Sequence, residues 1–105
     1  FDKMTINFNS IERLNKQQAI YFRYLQPLSY NLRIPKKTIY TYNFALNPNE
    51  YQPSGSCNFS RIPQAILNFD NIGESNDSTR EIYIFAINYN ILTIQSGMGG
   101  LTYAN

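Results

Sequence analysis

The side chains most able to act as nucleophiles are gathered between residues 52 and 61, where Ser54, Ser56, Cys57 and Ser60 follow one another closely. A serine hydroxyl needs a neighbouring base to remove its proton, and a cysteine thiol needs a base or a lowered pKa; histidine is the usual partner. The chain contains no histidine. The commonest metal ligand is lost with it, and a single cysteine excludes both an internal disulfide and zinc sites built on paired cysteines. Carboxylates remain, because Glu12, Glu50, Asp70, Glu74, Asp77 and Glu81 could supply an acid pair of the glycosidase kind. Nearly all of them fall in turn-like sequence, where solvated carboxylates are the rule. The segment Gly97-Met98-Gly99-Gly100 lacks the spacing, the following helix and the downstream acid of a phosphate-cradling loop. Its glycines read instead as permission for positive φ and close backbone approach where a terminal arm bends. Neither an enzyme, nor a cofactor, nor a small-molecule substrate is expected.

Charge is equally unhelpful to a ligand reading. Nine Lys+Arg against seven Asp+Glu give a formal charge of +2, too weak overall to direct the chain to nucleic acid or anionic lipid. Lys36 and Lys37 with Tyr40 and Tyr42 form a minimal basic and aromatic group, short of the wide basic face that a nucleic-acid platform needs. Asn58-Phe59-Ser60 and Asn76-Asp77-Ser78 both fit the N-glycosylation pattern, the first in an expected strand and the second in an expected loop. The longest apolar stretch, residues 82–87, is far shorter than the roughly 20 residues of a membrane-crossing helix.

The elements that must position these residues are mostly β. Nine Tyr, seven Phe and many Ile and Thr suit pleated, half-buried surfaces, while abundant Asn marks turns. In residues 4–8, Met4, Ile6 and Phe8 alternate with Thr5 and Asn7, the pattern of a strand with one buried face. Residues 9–13 read as a turn. Asn15 could then cap a short helix over residues 16–25, with Ile20 and Tyr24, and Tyr21 and Leu25, on matching turns before Pro27 stops it; the same residues could also form a strand.

Residues 39–45 read as a strand with Tyr40, Tyr42 and Phe44 on one face and Thr41 and Asn43 on the other, ended by Asn47-Pro48. Gln52-Pro53-Ser54-Gly55 suits a type I turn. Two further short strands follow: in one, Cys57 and Phe59 share a face that Arg61 interrupts, and the other covers residues 65–69. Residues 72–80 read as an exposed loop. In residues 81–95 both faces are apolar, as in a strand buried on both sides inside a sandwich or between subunits. At 105 residues the chain can form one small domain. It opens on Phe1 without an initiator methionine or a leader, so it is expected to be the back end of a larger protein.

Three segments in order carry a resemblance: residues 40–48 (Tyr-Thr-Tyr-Asn-Phe-Ala-Leu-Asn-Pro), residues 51–62 (Tyr-Gln-Pro-Ser-Gly-Ser-Cys-Asn-Phe-Ser-Arg-Ile) and residues 96–101 (Ser-Gly-Met-Gly-Gly-Leu). Together they resemble the C-terminal region of the double jelly-roll major capsid proteins of nucleocytoplasmic large DNA viruses. Residues 9–13 and 26–35 are similar to two further segments of that family, so the resemblance spans nearly the whole chain. The sequence departs from the family at Ser10, where glycine is usual, at Tyr30 and Asn31, where histidines are common, and at Pro63, where aspartate is common.

The resemblance implies an antiparallel jelly-roll β-sandwich with one short helix, of which residues 1–105 are the C-terminal portion of the second jelly roll. It implies a structural virion protein, assembled as homotrimeric pseudo-hexagonal capsomers in an icosahedral shell. Its partners would be neighbouring capsomers and minor capsid proteins, without direct contact to nucleic acid. It also implies location in the virion, and in host cytoplasm during assembly. Asn47, Pro48, Gln52, Pro53, Gly55, Cys57, Asn58, Phe59, Arg61, Gly97, Gly99 and Gly100 are the structural motif positions it singles out. A different class, a carbohydrate-binding β-sandwich stacking exposed tyrosines on sugars, is the alternative that the Tyr and Asn content allows.

Overall fold

The computed structural model describes residues 1–73 and 81–103. Strand β1 (Lys3–Phe8) is central in a three-stranded antiparallel sheet, flanked by β2 (Ile11–Gln18) and β3 (Ala65–Asp70). The expected alternation in β1 is realised. Met4 and Ile6 are buried and pack on the fully buried ring of Phe22, with Phe1, Phe8, Leu14, Tyr21, Tyr42 and Phe69 around them. Phe1 meets Phe69 edge-on at 5.2 Å and Tyr40 at 4.6 Å, so this end of the core is largely aromatic.

The turn after β1 is two residues long, not five. Asn9 and Ser10 both have positive φ, 51° and 66°, the signature of the type I′ hairpin turn whose twist matches that of the strands. Residues 11–13 therefore belong to β2, as does Asn15, which caps nothing. The register slips twice between β1 and β2, from Met4↔Gln17 through Ile6↔Leu14 to Asn7↔Glu12, so β2 bulges against its straight partner. Such bulges hide a strand's period from a sequence reading. The β1–β3 ladder is regular from Lys3↔Asp70 to Phe8↔Ala65, and the Lys16 ammonium reaches the Asp70 carboxylate at 2.7 Å.

Helical structure starts later than expected and passes through Pro27. Residues 21–25 (Tyr21–Leu25) are π-helical and lead directly into α1 (Gln26–Ser29). The Gln26 N–H donates to the Tyr21 carbonyl, a five-residue step. The same step from Phe22 would end on Pro27, which has no N–H. The Phe22 carbonyl is satisfied from outside the helix, accepting the Thr41 N–H at 3.1 Å and the Thr41 hydroxyl at 3.3 Å. The helix buries Phe22, Gln26 and Pro27, and leaves the expected Ile20, Tyr24 and Leu25 pairs exposed.

Residues 39–44 do not pair in a sheet. Their two faces are nonetheless distinct: Thr41 and Asn43 bond to the helix, while Phe44 packs on Phe8 at 6.2 Å and Tyr42 on Phe44 at 5.0 Å. The helix supplies the polar partners that a neighbouring strand would otherwise supply. The expected strand through Cys57 and Phe59 is also absent; Phe59–Arg61 is a 3-10 turn capped by Asn58. In residues 81–95, only β4 (Leu92–Gln95) pairs, and it pairs with β5 (Met98–Leu101). The segment before it is not buried on either side: Phe85 is 88% exposed and Ile87 103%. Of the expected loop 72–80, Gly73 has positive φ, as does Asn71 just before it, and residues 74–80 lie outside the described residues.

Candidate functional site

Of the motif residues, Phe59 packs against the sheet, while Gly97, Gly99 and Gly100 belong to the separate β4–β5 hairpin. Phe8, Phe44 and Phe59 form an aromatic trio, with Phe8 and Phe59 edge-on at 5.6 Å and Phe44 and Phe59 at 5.8 Å. Asn47-Pro48 does turn the chain, closed by the Glu50 N–H donating to the Asn47 carbonyl at 3.2 Å. Gln52 and Pro53 do not form the expected type I turn. Ser54 reaches across the bend instead: its hydroxyl oxygen accepts the Asn47 N–H at 2.9 Å and its carbonyl the Leu46 N–H at 3.3 Å.

Gly55 follows with φ at 138°, and a Cβ there would stand 3.2 Å from the Phe44 carbonyl oxygen. Both the backbone angle and the close approach demand glycine. Asn58 then caps the 3-10 turn, its Oδ1 accepting the Ser60 N–H at 3.2 Å and also the Ser60 hydroxyl. This places the Asn58-Phe59-Ser60 pattern on an exposed turn and not in a strand. Asn76-Asp77-Ser78 lies outside the described residues.

Among the described residues no reactive constellation is assembled. Ser54 and Ser60 are engaged with backbone and Asn58, and Cys57 is a free, half-buried thiol. Arg61 is exposed and, among the described residues, has no ion-pair partner. Asp70 is occupied by Lys16, and among the described residues no three carboxylates or thiols meet as a metal site. Glu74 and Asp77 lie outside those residues.

Burial pushes the Tyr42 phenol above its ordinary value of 10.0, partly opposed by the charge of Arg13. The exposed Tyr83 phenol is also raised, by its hydrogen bond to the Glu81 carboxylate. Gly97 sits in a second two-residue turn, with Ser96 at φ 52° and Gly97 at 75°, and joins β4 to β5. Gly99 and Gly100 lie within β5, where an added Cβ would meet open space. The face of this hairpin is open, with no helix N-terminus to cradle a phosphate. Among the described residues the exposed tyrosines are Tyr24, Tyr40, Tyr51, Tyr83, Tyr89 and Tyr103, spread along the chain.

The residues that sequence reasoning passed over are Gln26, Thr41 and Asn43. Gln26 is 5% exposed; its Oε1 accepts the Asn43 N–H at 3.2 Å and its Nε2 donates to the Tyr21 hydroxyl at 2.8 Å. The sequence carries no signal for them: in an ordinary α-helix Pro27 deprives the Arg23 carbonyl of a donor, and only the π-helical step shifts that loss to Phe22.

The two antiparallel sheets and one short helix make this a mostly β chain, and its structural neighbours place it in the jelly-roll class. The chain overlays the quasi-atomic model of the PBCV-1 virus capsid with a TM-score of 0.77 and 35% identity, covering 99% of this chain and 30% of that one. It matches the crystal structure of PBCV-1 VP54, fitted into a reconstruction of the virophage Sputnik, with a TM-score of 0.75. The family model for the large eukaryotic DNA virus major capsid protein matches residues 1–100. The chain belongs to that family.

Relatives include the major capsid protein of Phaeocystis pouchetii virus, 42% identical over 102 residues, covering 95% of this chain and 20% of the relative. That of Paramecium bursaria Chlorella virus 1 is 36% identical over 124 residues, covering 99% and 28%. The chain thus spans well under a third of the length of these relatives.

Proposed function

We propose that residues 1–105 are the C-terminal portion of the second jelly roll in a double jelly-roll capsid subunit, and that this subunit is a structural component of the virion without catalytic activity. Three subunits form a pseudo-hexagonal capsomer, which contacts neighbouring capsomers and minor capsid proteins in the shell and assembles in host cytoplasm. Neither nucleic acid nor a small molecule is a direct ligand of the segment.

The observation that carries this reading is the ribbon through residues 82–94, which exposes Ile82, Ile84, Phe85, Ile87 and Ile94 on both faces. Apolar area on this scale needs cover, because each fully exposed large side chain forgoes about 1.5–3 kcal/mol of burial. The remaining strands of a sandwich are the cover that the family relationship supplies. Native mass spectrometry of the full-length protein is expected to return a trimer. Residues 1–105 expressed alone are expected to bind a hydrophobic dye and to melt without cooperativity. A soluble monomer with a cooperative transition would overturn the incomplete-domain reading, and a full-length protein that stays monomeric would overturn the trimer.

A further inference from the structure

The formal charge of +2 conceals a segregation. From Arg13 to Asn49 the chain carries six cations, Arg13, Lys16, Arg23, Arg33, Lys36 and Lys37, and no carboxylate side chain. Lys16 is neutralised by Asp70; the other five have no ion-pair partner among the described residues. Three hydrogen bonds strap residues 32–41 back along the helix. The Leu32 N–H donates to the Pro27 carbonyl at 2.8 Å, Arg23 Nη1 to the Pro35 carbonyl at 2.8 Å, and the Thr41 N–H to the Phe22 carbonyl at 3.1 Å. Arg23 is therefore held against the strap that carries the exposed Arg33, Lys36 and Lys37. Ile34 and Ile39, next to these cations along the strap, are exposed, as is Leu28 on the helix.

We propose that this helix and strap form a docking surface for an anionic lipid bilayer. Cations clustered beside exposed aliphatic side chains match a headgroup region, where phosphates meet the charges and the aliphatic groups reach the acyl boundary. A nucleic acid fits less well. Bases need free ring faces, but the Tyr24 ring is covered by the Arg23 guanidinium at 5.2 Å and the Tyr40 ring packs on Phe1 at 4.6 Å. At Lys36 and Lys37 a protein partner also fits less well, because lysine, unlike arginine, is depleted from protein interfaces.

The test is flotation of the full-length capsid protein with phosphatidylcholine vesicles that contain or lack phosphatidylserine. Binding is expected only with phosphatidylserine and is expected to fall as salt rises. Lys36→Ala with Lys37→Ala is expected to weaken it about thirtyfold, from roughly fivefold per cation. Lys36→Arg with Lys37→Arg should retain it, and the unchanged oligomeric state of each variant shows that folding is intact. Equal binding to both vesicle types, no binding to either, no response to the alanine pair, or displacement of the vesicles by duplex DNA would overturn the proposal.

Discussion

The backbone carbonyl of Phe22 accepts two hydrogen bonds from Thr41, from its N–H at 3.1 Å and its hydroxyl at 3.3 Å, where Pro27 has no N–H to offer across the π-helical step. Thr41→Val keeps the shape and the backbone bond but removes the hydroxyl. The expected loss is about 0.5–1.5 kcal/mol in denaturant unfolding of the full-length protein. An unchanged midpoint would show that the hydroxyl is dispensable.

Gln26 is the buried polar centre of the same contact. Gln26→Leu leaves the Asn43 N–H and the Tyr21 hydroxyl without their partner. A cost of about 1–3 kcal/mol is expected, with faster hydrogen exchange at the Asn43 amide. Exchange should be unaltered in the β1–β3 ladder, which does not depend on it.

Gly55 and Ser10 make opposite predictions from one physical cause. Gly55→Ala puts a Cβ 3.2 Å from the Phe44 carbonyl at φ 138°, and is expected to destabilise by about 1–3 kcal/mol. Thermal melting of the intact protein reads this out.

Ser10 occupies a left-handed position at φ 66° where a side chain is disfavoured by about 1–2 kcal/mol. Ser10→Gly relieves that strain but adds freedom to the unfolded chain, for an expected net gain of about 0.5–1 kcal/mol. A lower melting temperature in this variant would contradict the strain.

Tyr42 sets an alkaline limit. Its folded-state pKa is raised by burial, so the unfolded chain releases the phenolic proton first as pH rises. The stabilisation is complete below the ordinary value of 10.0 and is lost as pH climbs from there through the folded-state pKa. Tyr42→Phe is expected to flatten the decline in melting temperature above that pH. An equal decline in both proteins would place the titration elsewhere.

Much of the architecture was legible in residue order. The alternation of Met4, Ile6 and Phe8 marks β1 because a strand with one buried face has period two, and residues 65–69 mark β3 nearly to its boundary at Asp70. Asn47-Pro48 turns the chain as its chemistry requires. The extent of β2 was hidden, since two bulges break its period and its face is largely exposed. The helix was misplaced because Pro27 reads as a terminator, while the π-helical step and Thr41 together let the chain pass through it.

By itself the sequence determined that residues 1–105 supply neither histidine-based catalysis nor paired-cysteine chemistry, because histidine is missing and cysteine occurs once. It also determined the family, because the order of the motif segments is a property of the chain alone. Only the tertiary structure decided whether apolar, alternating segments become strands. Residues 39–44 alternate as a strand does, yet bond to Phe22 and Gln26 of the helix; residues 82–87 are apolar on both faces, yet form no strand among the described residues and are exposed. The reason is that a strand is defined by its neighbours: periodicity states which face wants burial, and hydrogen-bond partners distant in sequence settle what provides it.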